Sequence, residues 1–336
     1  MSPPSPMDAP SIELVPLGVA DLRVTRLCFG TGTLFRLHSS RQRQRLLDAA
    51  YALGIRHFDT ARSYGLGDAE REVGRFVARH REHVTVATKF GMRLSRTGSL
   101  LKPLQTAARR VIGVFPGLRK HLRKRQLPII APRSFDLATA KDSLQSSLRE
   151  LAVERIDILF LHEPDQGTAI APELTDWLAT ARDEGLIRTW GLSGPLASIL
   201  AVREQSPALG AVMQYASDAV SRTAGPAPPT GPRLTYSPFA NALDPILTTL
   251  ANSAPAAHDW QRRLDLPTAK GAVAELLLAD ACTEPYRDPV VFSTTSVRHL
   301  ETLVQAAYDP GMLGRVPEFR GWIADHVRPS GGGIAG

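Results

Sequence analysis

Four side chains of this sequence could do acid–base chemistry together. Asp59 closes the apolar stretch "RHFD", and Tyr64 follows five residues later, just before a glycine. Lys89 lies near the end of "VTVATKFG", and His162 near the end of "RIDILFLHEP". A free phenol has a pKa of about 10, too high for an efficient proton donor at neutral pH. A neighbouring ammonium favours the phenolate and lowers that value. Lys89 can supply the ammonium, Asp59 can keep it charged and oriented, and His162 can hydrogen-bond a substrate oxygen. The set suits carbonyl reduction, where hydride reaches carbon and a proton must reach oxygen. Each residue alone has a plainer use. A buried Asp beside a Lys is commonly structural, a strand-end His commonly satisfies a local hydrogen bond, and a loop Tyr commonly packs.

The four converge only if they sit on neighbouring strand ends, and the pattern around them provides this. Strand-like "LRVTRLCFG", "HFDT", "VTVATKFG", "RIDILFLHEP", "IRTWGLSG", "GAVMQYA", "RLTYSPFA" and "DPVVFSTTS" take turns with helix-like segments. Among the latter, "RQRQRLLDAAYALG" ends at Gly54, a suitable C-cap. "DAEREVGRFVARH" opens at Asp68, a suitable N-cap. In "SFDLATAKDSLQSSLREL", Leu137, Lys141, Leu144, Leu148 and Leu151 recur every three or four residues, with Lys141 as a polar interruption.

Alternation of this kind predicts βαβ units on a parallel sheet. About eight strands, with no GxGxxG motif opening a helix, favour an α/β fold of the closed (β/α)8 TIM-barrel type over an open Rossmann sheet. Parity in the third strand puts Thr85, Ala87 and Lys89 inside and Val84 and Val86 against the helices. In a barrel, Asp59, Tyr64, Lys89 and His162 fall at the C-terminal rim of strands two to four, where such sites form. The sixth helix is expected to be shortened or missing, because "SDAVSRTAGPAPPTGP" is too rich in Pro and Gly. Residues 240–266 give no firm pattern.

The chain has 336 residues and a formal net charge of +7. That excess belongs to one segment. Residues 93–133, inserted after the third strand, hold eleven Lys/Arg and no acid, and the remainder has 29 basic against 33 acidic residues. Such localisation argues against a whole-surface nucleic-acid binder. Three readings of the segment stay open: a solvated variable loop, a lid over an acidic or large substrate, and a patch for an anionic membrane or nucleic acid. Cys28 and Cys282 show no metal or CxxC spacing and read as reduced, buried thiols. The expected layout is a disordered lead-in over 1–12, a single barrel over 13–320 and a tail over 321–336. No apolar run is long enough to span a membrane. The lead-in lacks the basic start and apolar core of a signal peptide, so the expected location is cytoplasmic. No metal site is expected.

Taken together, "HFDTARSYG…E…VG", "VATKFG", "ILFLHEP", "WGLSG", "VMQY" and "TYSPF" resemble the aldo-keto reductase superfamily over roughly residues 13–308. The resemblance implies a TIM barrel and hydride transfer with an NADPH-preferring nicotinamide cofactor, NADH being possible. It implies a small-molecule carbonyl or sugar-like substrate. Tyr64 becomes the general acid/base, Asp59 and Lys89 tune it, and His162 positions the carbonyl. For the cofactor it implies Gly30 and Thr31 from the first strand, Ser193 and Gln214 for the carboxamide, Tyr236 stacking on nicotinamide and Ser237 at the pyrophosphate. "VVFSTTSVRHLETL" takes the adenosine-phosphate position, with Ser293, Thr294, Thr295 and Ser296 before a helix N-terminus and Arg298 as the nearby cation. The sequence departs from the family pattern at Gly194, where the family has Asn, and at Thr302 and Leu303, where it has a Glu-Asn pair. Those departures motivate an alternative from another class: a cofactor-binding regulatory or scaffold protein with little turnover. A lyase or isomerase using the same acid/base pair would have no need of Ser193 and Gln214. Substrate, reaction direction and oligomeric state are not legible.

Overall fold

The computed structural model describes residues 12–19, 21–92, 132–224, 229–283, 285 and 287–328. Eight parallel strands close into a barrel in the order β10-β3-β4-β5-β6-β7-β8-β9. These are β3 (Leu27–Gly30), β4 (His57–Asp59), β5 (Thr85–Phe90), β6 (Ile156–His162), β7 (Ile187–Ser193), β8 (Val212–Ala216), β9 (Arg233–Tyr236) and β10 (Val290–Phe292). The expected (β/α)8 fold is therefore present. The sequence-level first strand is in fact two. β1 (Leu14–Pro16) and β2 (Arg23–Thr25) pair as an antiparallel hairpin, and the chain breaks at Arg26 before entering the barrel as β3. Leu17, Leu22 and Val24 of the hairpin region pack with Cys28, Ala87, Ile158, Phe160, Val212, Leu234 and Val291 of the barrel interior. The hairpin thus plugs the barrel.

Side-chain alternation follows from the pleat. Ala87, Ile158 and Phe160 face inward, while Val86, Leu159 and Leu161 join the layer beneath the helices. That outer layer packs against α1 (Ser40–Ala52), α2 (Ala69–His80), α3 (Leu137–Leu151), α4 (Pro172–Asp183) and α5 (Leu196–Gln205). The buried stripe of α3 differs from the leucine row read from the sequence. Ala140, Ser143, Leu144, Ser147 and Leu151 are buried, Leu137 and Leu148 are only half-buried, and Lys141 is exposed. Small residues win that face because α2 comes very close. A Cβ on Gly74 of α2 would meet the Glu150 carbonyl oxygen at 2.5 Å.

After β8 the described helix, α6 (Ala219–Ala224), has six residues, so the sixth unit is shortened as its Pro/Gly content implied. Three helices were missed. Residues 240–266 fold into α7 (Leu243–Asn252) and α8 (Ala254–Leu264), and α9 (Lys270–Ala281) follows. They join α11 (Pro310–Gly314) and α12 (Val316–His326) around a second apolar cluster with Trp260, Phe319 and Trp322 at its centre. Trp260 and Trp322 meet edge to face, centroids 5.0 Å apart. The expected tail boundary at 320 therefore cuts a packed helix: Trp322 is fully buried and α12 runs to His326. Most of the basic insertion, 93–131, and the lead-in up to residue 11 lie outside the described residues. No described helix is long and apolar enough to cross a membrane.

Candidate active site

The C-terminal ends of the strands surround a cavity of about 440 Å³. Its lining includes Asp59, Tyr64, Lys89 and His162, so the structure brings together all four residues singled out by their chemistry. The Lys89 ammonium donates to Asp59 Oδ1 at 2.6 Å and to the Thr60 carbonyl at 2.9 Å. Gln214 Nε2 donates to the other carboxylate oxygen at 2.8 Å, and Ser193 Oγ donates to Gln214 Oε1 at 2.6 Å. One chain of hydrogen bonds thus runs from Lys89 through Asp59 and Gln214 to Ser193, across the barrel mouth from β5 to β7. Every link is buried. A buried ion pair survives only when its remaining polar atoms find partners, and here they do.

Tyr64 approaches this chain from its own short turn, Tyr64–Leu66. Lys89 Nζ lies 5.0 Å from the ring centroid, and the His162 ring stands nearly perpendicular to the phenol at 5.9 Å. The glycine after the tyrosine has a steric reason. Gly65 adopts φ 60°, and a Cβ there would come within 2.4 Å of the Phe35 ring. Gly65 lets the turn fold tightly enough to aim the phenol inward.

Electrostatics correct one expectation. Tyr64 is not acidified: burial, the largest influence, raises its pKa above the usual phenol value, and Lys89 only partly opposes this. Asp59, which pairs with Lys89, also disfavours a phenolate and adds to the rise. For Lys89, burial pulls the pKa down, but Asp59 and Tyr64 outweigh it and hold the ammonium charged. His162 is pushed down to about 3 by burial, then by Lys89 and Arg133. At neutral pH the site therefore presents a protonated phenol, an ammonium and an uncharged imidazole.

The cofactor residues divide. Gly30, Ser193, Gln214, Tyr236, Ser237 and Ser293 line the cavity. Thr31 does not. It is fully buried, and its backbone N–H and hydroxyl both donate to the Asp59 carbonyl, at 2.9 and 3.0 Å, so it braces β4. Thr294, Thr295, Ser296 and Arg298 also lie outside the lining. Ser296 caps α10 (Val297–Ala306) by accepting from the His299 N–H, and the Thr294 hydroxyl accepts from the Ser296 N–H. Thr295 and Arg298 are exposed. At the departures, Thr302 turns its hydroxyl to the Arg298 carbonyl and Leu303 is buried in the core. Gly194 is explained by its neighbour: a Cβ there would sit 3.0 Å from the Glu163 Cα.

Glu163, Gly32, Thr33, Arg36, Pro238 and Phe239 also line the cavity and were not identified from the sequence. Glu163 adjoins His162, and Pro238 and Phe239 belong to "TYSPF", so adjacency was an available signal for these three. Arg36 had none. Glu163 and Ser237 are both left-handed at the cavity wall, φ 52° and 59°. For a non-glycine residue this costs about 1–3 kcal/mol and persists where the surroundings enforce it. Glu163 is fixed by its N–H to the Ser193 carbonyl at 2.6 Å and by its carboxylate to Arg133 at 2.9 Å.

Comparison with known proteins agrees with this geometry. The aldo/keto reductase family model matches residues 26–215. A D-threo-aldose 1-dehydrogenase from a Pseudomonas species is 32% identical over 196 residues, 55% of each chain. A pyridoxal 4-dehydrogenase from Microbacterium luteolum is 30% identical over 174 residues, 50% of this chain and 48% of that protein. The chain thus spans about half the length of the curated relatives it matches. Among solved structures, a glycerol dehydrogenase from Gluconobacter oxydans superposes with TM-score 0.64 at 18% identity, over 96% of this chain and 97% of that one. An aldo-keto reductase from Klebsiella pneumoniae in complex with NADPH gives TM-score 0.62 at 18% identity, over 95% and 97%. This chain belongs to the aldo/keto reductase family.

Proposed function

We propose that the protein is a nicotinamide-dependent oxidoreductase that reduces an aldehyde or ketone, or oxidises a sugar-like alcohol, with Tyr64 as the proton donor and acceptor. The observation that carries this reading is the shared cavity of Tyr64, Lys89, Asp59 and His162, with Lys89 locked to Asp59 at 2.6 Å. A nicotinamide dinucleotide, when bound, would supply or accept the hydride.

The residues present fit such a cofactor best at its nicotinamide end. Ser193 and Gln214 bring hydroxyl and amide groups side by side at the wall, and Tyr236 lines the same cavity. They would hold the carboxamide and stack on the ring. Ser237 and Ser293 would receive phosphate oxygens, with Thr294, Thr295, Ser296 and Arg298 at the outer end beside the N-terminus of α10. NADPH is the preferred form in this reading because Arg298 is an exposed cation that would meet a 2′-phosphate. Thr302 and Leu303 supply no charge there.

Neutral His162 would donate one ring N–H to the substrate oxygen, setting the carbonyl against Tyr64. The Tyr64 hydroxyl would then pass its proton to that oxygen as negative charge develops. Lys89 would stabilise the phenolate left behind, which is where its charge is worth most. Asp59 keeps Lys89 protonated throughout, and Gln214 keeps Asp59 oriented. A raised resting pKa is compatible with this order of events. A donor must hold its proton until the transition state, and the cation beside it lowers the cost of letting go.

The relatives named above include an aldose dehydrogenase and a pyridoxal dehydrogenase, which favours polar, hydroxyl-bearing carbonyl compounds as the substrate class. The test is a panel of aldehydes, ketones and aldoses with NADPH, NADH and the oxidised forms, followed at 340 nm. Turnover with at least one member supports the reading. Measurable cofactor binding with rates at background throughout would favour the regulatory alternative.

A further inference from the structure

We infer that Arg36 selects substrates carrying an anionic group, a carboxylate or a phosphate, a short distance from the carbonyl. The inference rests on the reductase reading of the cavity and names the substrate class within it.

Among the described residues, four charged side chains line the cavity: Arg36, Asp59, Lys89 and Glu163. Three are committed. Asp59 and Lys89 pair at 2.6 Å, and Glu163 pairs with Arg133 at 2.9 Å. Arg36 has no acidic partner among the described residues. A single uncompensated cation in a concave site focuses positive potential there and favours a ligand with one matching charge. The guanidinium is suited to the task, because its planar donors meet a carboxylate or phosphate in pairs.

The turn that carries Arg36 is held on both sides. Leu34 is buried, and Phe35 lies against Gly65 on one side and beneath the Arg43 guanidinium, 4.4 Å from its ring centroid, on the other. Arg43 also donates to the Leu37 carbonyl at 2.8 Å. Arg36 is exposed between these anchored neighbours. Because Phe35 docks on Gly65, the turn is tied directly to the turn of the Tyr64 phenol. Gly32, earlier in the same loop, faces the edge of the Tyr64 ring. This ties the turn of Arg36 to the turn of the Tyr64 phenol, at the lining of the same cavity.

The test compares 4-formylbenzoate with 4-formylbenzamide, which match in size and differ in charge. Binding is read by calorimetry and turnover by cofactor oxidation, in wild type, Arg36→Gln and Arg36→Lys. A charge-assisted pair at a solvent-accessible site predicts about tenfold preference for the carboxylate at low salt, shrinking as ionic strength rises. Arg36→Gln should bring the ratio close to one, with kcat for the amide and the cofactor Kd unchanged. Arg36→Lys should recover part of the preference. An unchanged ratio in Arg36→Gln would overturn the inference. So would an equal loss for both aldehydes together with weaker cofactor binding, which would place Arg36 on the cofactor diphosphate instead. Charge-selective binding with no turnover would remove the reductase reading and leave the role of Arg36 standing. Turnover of both aldehydes with equal affinity would do the reverse.

Discussion

Two parts of the same rim are built in opposite ways. Along β4 to β8, Lys89, Asp59, Gln214 and Ser193 are buried and hydrogen-bonded to one another. Beyond β10, Thr295 and Arg298 are exposed, while Ser296 and Thr294 serve local backbone N–H groups. The first region is preorganised: its groups lose little freedom when a ligand arrives, and removing one strands the others. The second spends its side chains on ending a strand and starting a helix, and ligand contact there is additional. Damage should therefore be severe and cooperative in the first region, and mild and additive in the second.

Lys89→Met tests the severe end. It leaves the Asp59 carboxylate buried without its cation, which costs about 3–5 kcal/mol in comparable sites. Urea denaturation should show that loss, and turnover should fall at least 10²-fold. A variant as stable as wild type would show that the ion pair is not a unit.

Acid should act more gradually, through the buried imidazoles. His57, whose Nδ1 lies 2.9 Å from the Thr85 hydroxyl at the inner end of β4, is pushed down to about 4, chiefly by burial. His162 is pushed down to about 3. An unfolded histidine binds its proton near pH 6.5, so between that pH and 4 the unfolded state holds more protons than the folded one. Stability should be full above pH 6.5 and fall as pH drops towards 4, His57 contributing about 3 kcal/mol over that window. Replacing His57 with Gln should remove about half of the dependence in that window, leaving the His162 share, measured by denaturation midpoint against pH.

Gly194→Asn restores the family residue, and it separates the regions from another direction. The new Cβ would sit 3.0 Å from the Glu163 backbone, so either strand end must shift. Overpacking of this kind costs about 1–3 kcal/mol. Combining it with Glu163→Gly, which relieves the left-handed backbone, should recover part of the loss.

Arg298→Ala stands at the mild end. An exposed cation facing a phosphate is screened. NADPH affinity should weaken by about threefold to tenfold, with NADH affinity and melting temperature unchanged.

The same division explains what could be read beforehand. Asp59, Lys89 and His162 were legible because strand parity and strand ends left them one place to go. The six-residue α6 was legible because Pro and Gly exclude a long helix. The helices between 243 and 281 were not. α9 is apolar nearly all round, since it is packed among α7, α10, α11 and α12, and a uniformly apolar helix shows no periodic stripe. Nor was the pKa of Tyr64. The sequence identifies the cation but not how much water the fold excludes around the phenol, nor how close Asp59 lies to oppose the cation. Thr31 resembled a cofactor contact by position, yet the backbone of β4 claims its hydroxyl. Arg36 escaped notice because its placement depends on one loop docking on another, through Phe35 and Gly65.

The central claim is that Tyr64, protonated at rest, delivers its proton to the substrate oxygen beside Lys89. The most direct measurement is single-turnover oxidation of bound NADPH by a good aldehyde substrate, in wild type and Tyr64→Phe, from pH 6 to 10. The account predicts a roughly flat wild-type rate across that range, because burial holds the phenol above its usual pKa of about 10. It predicts a loss of about 10²- to 10⁴-fold in the variant, with cofactor affinity unchanged. A variant that turns over as fast as wild type would contradict it.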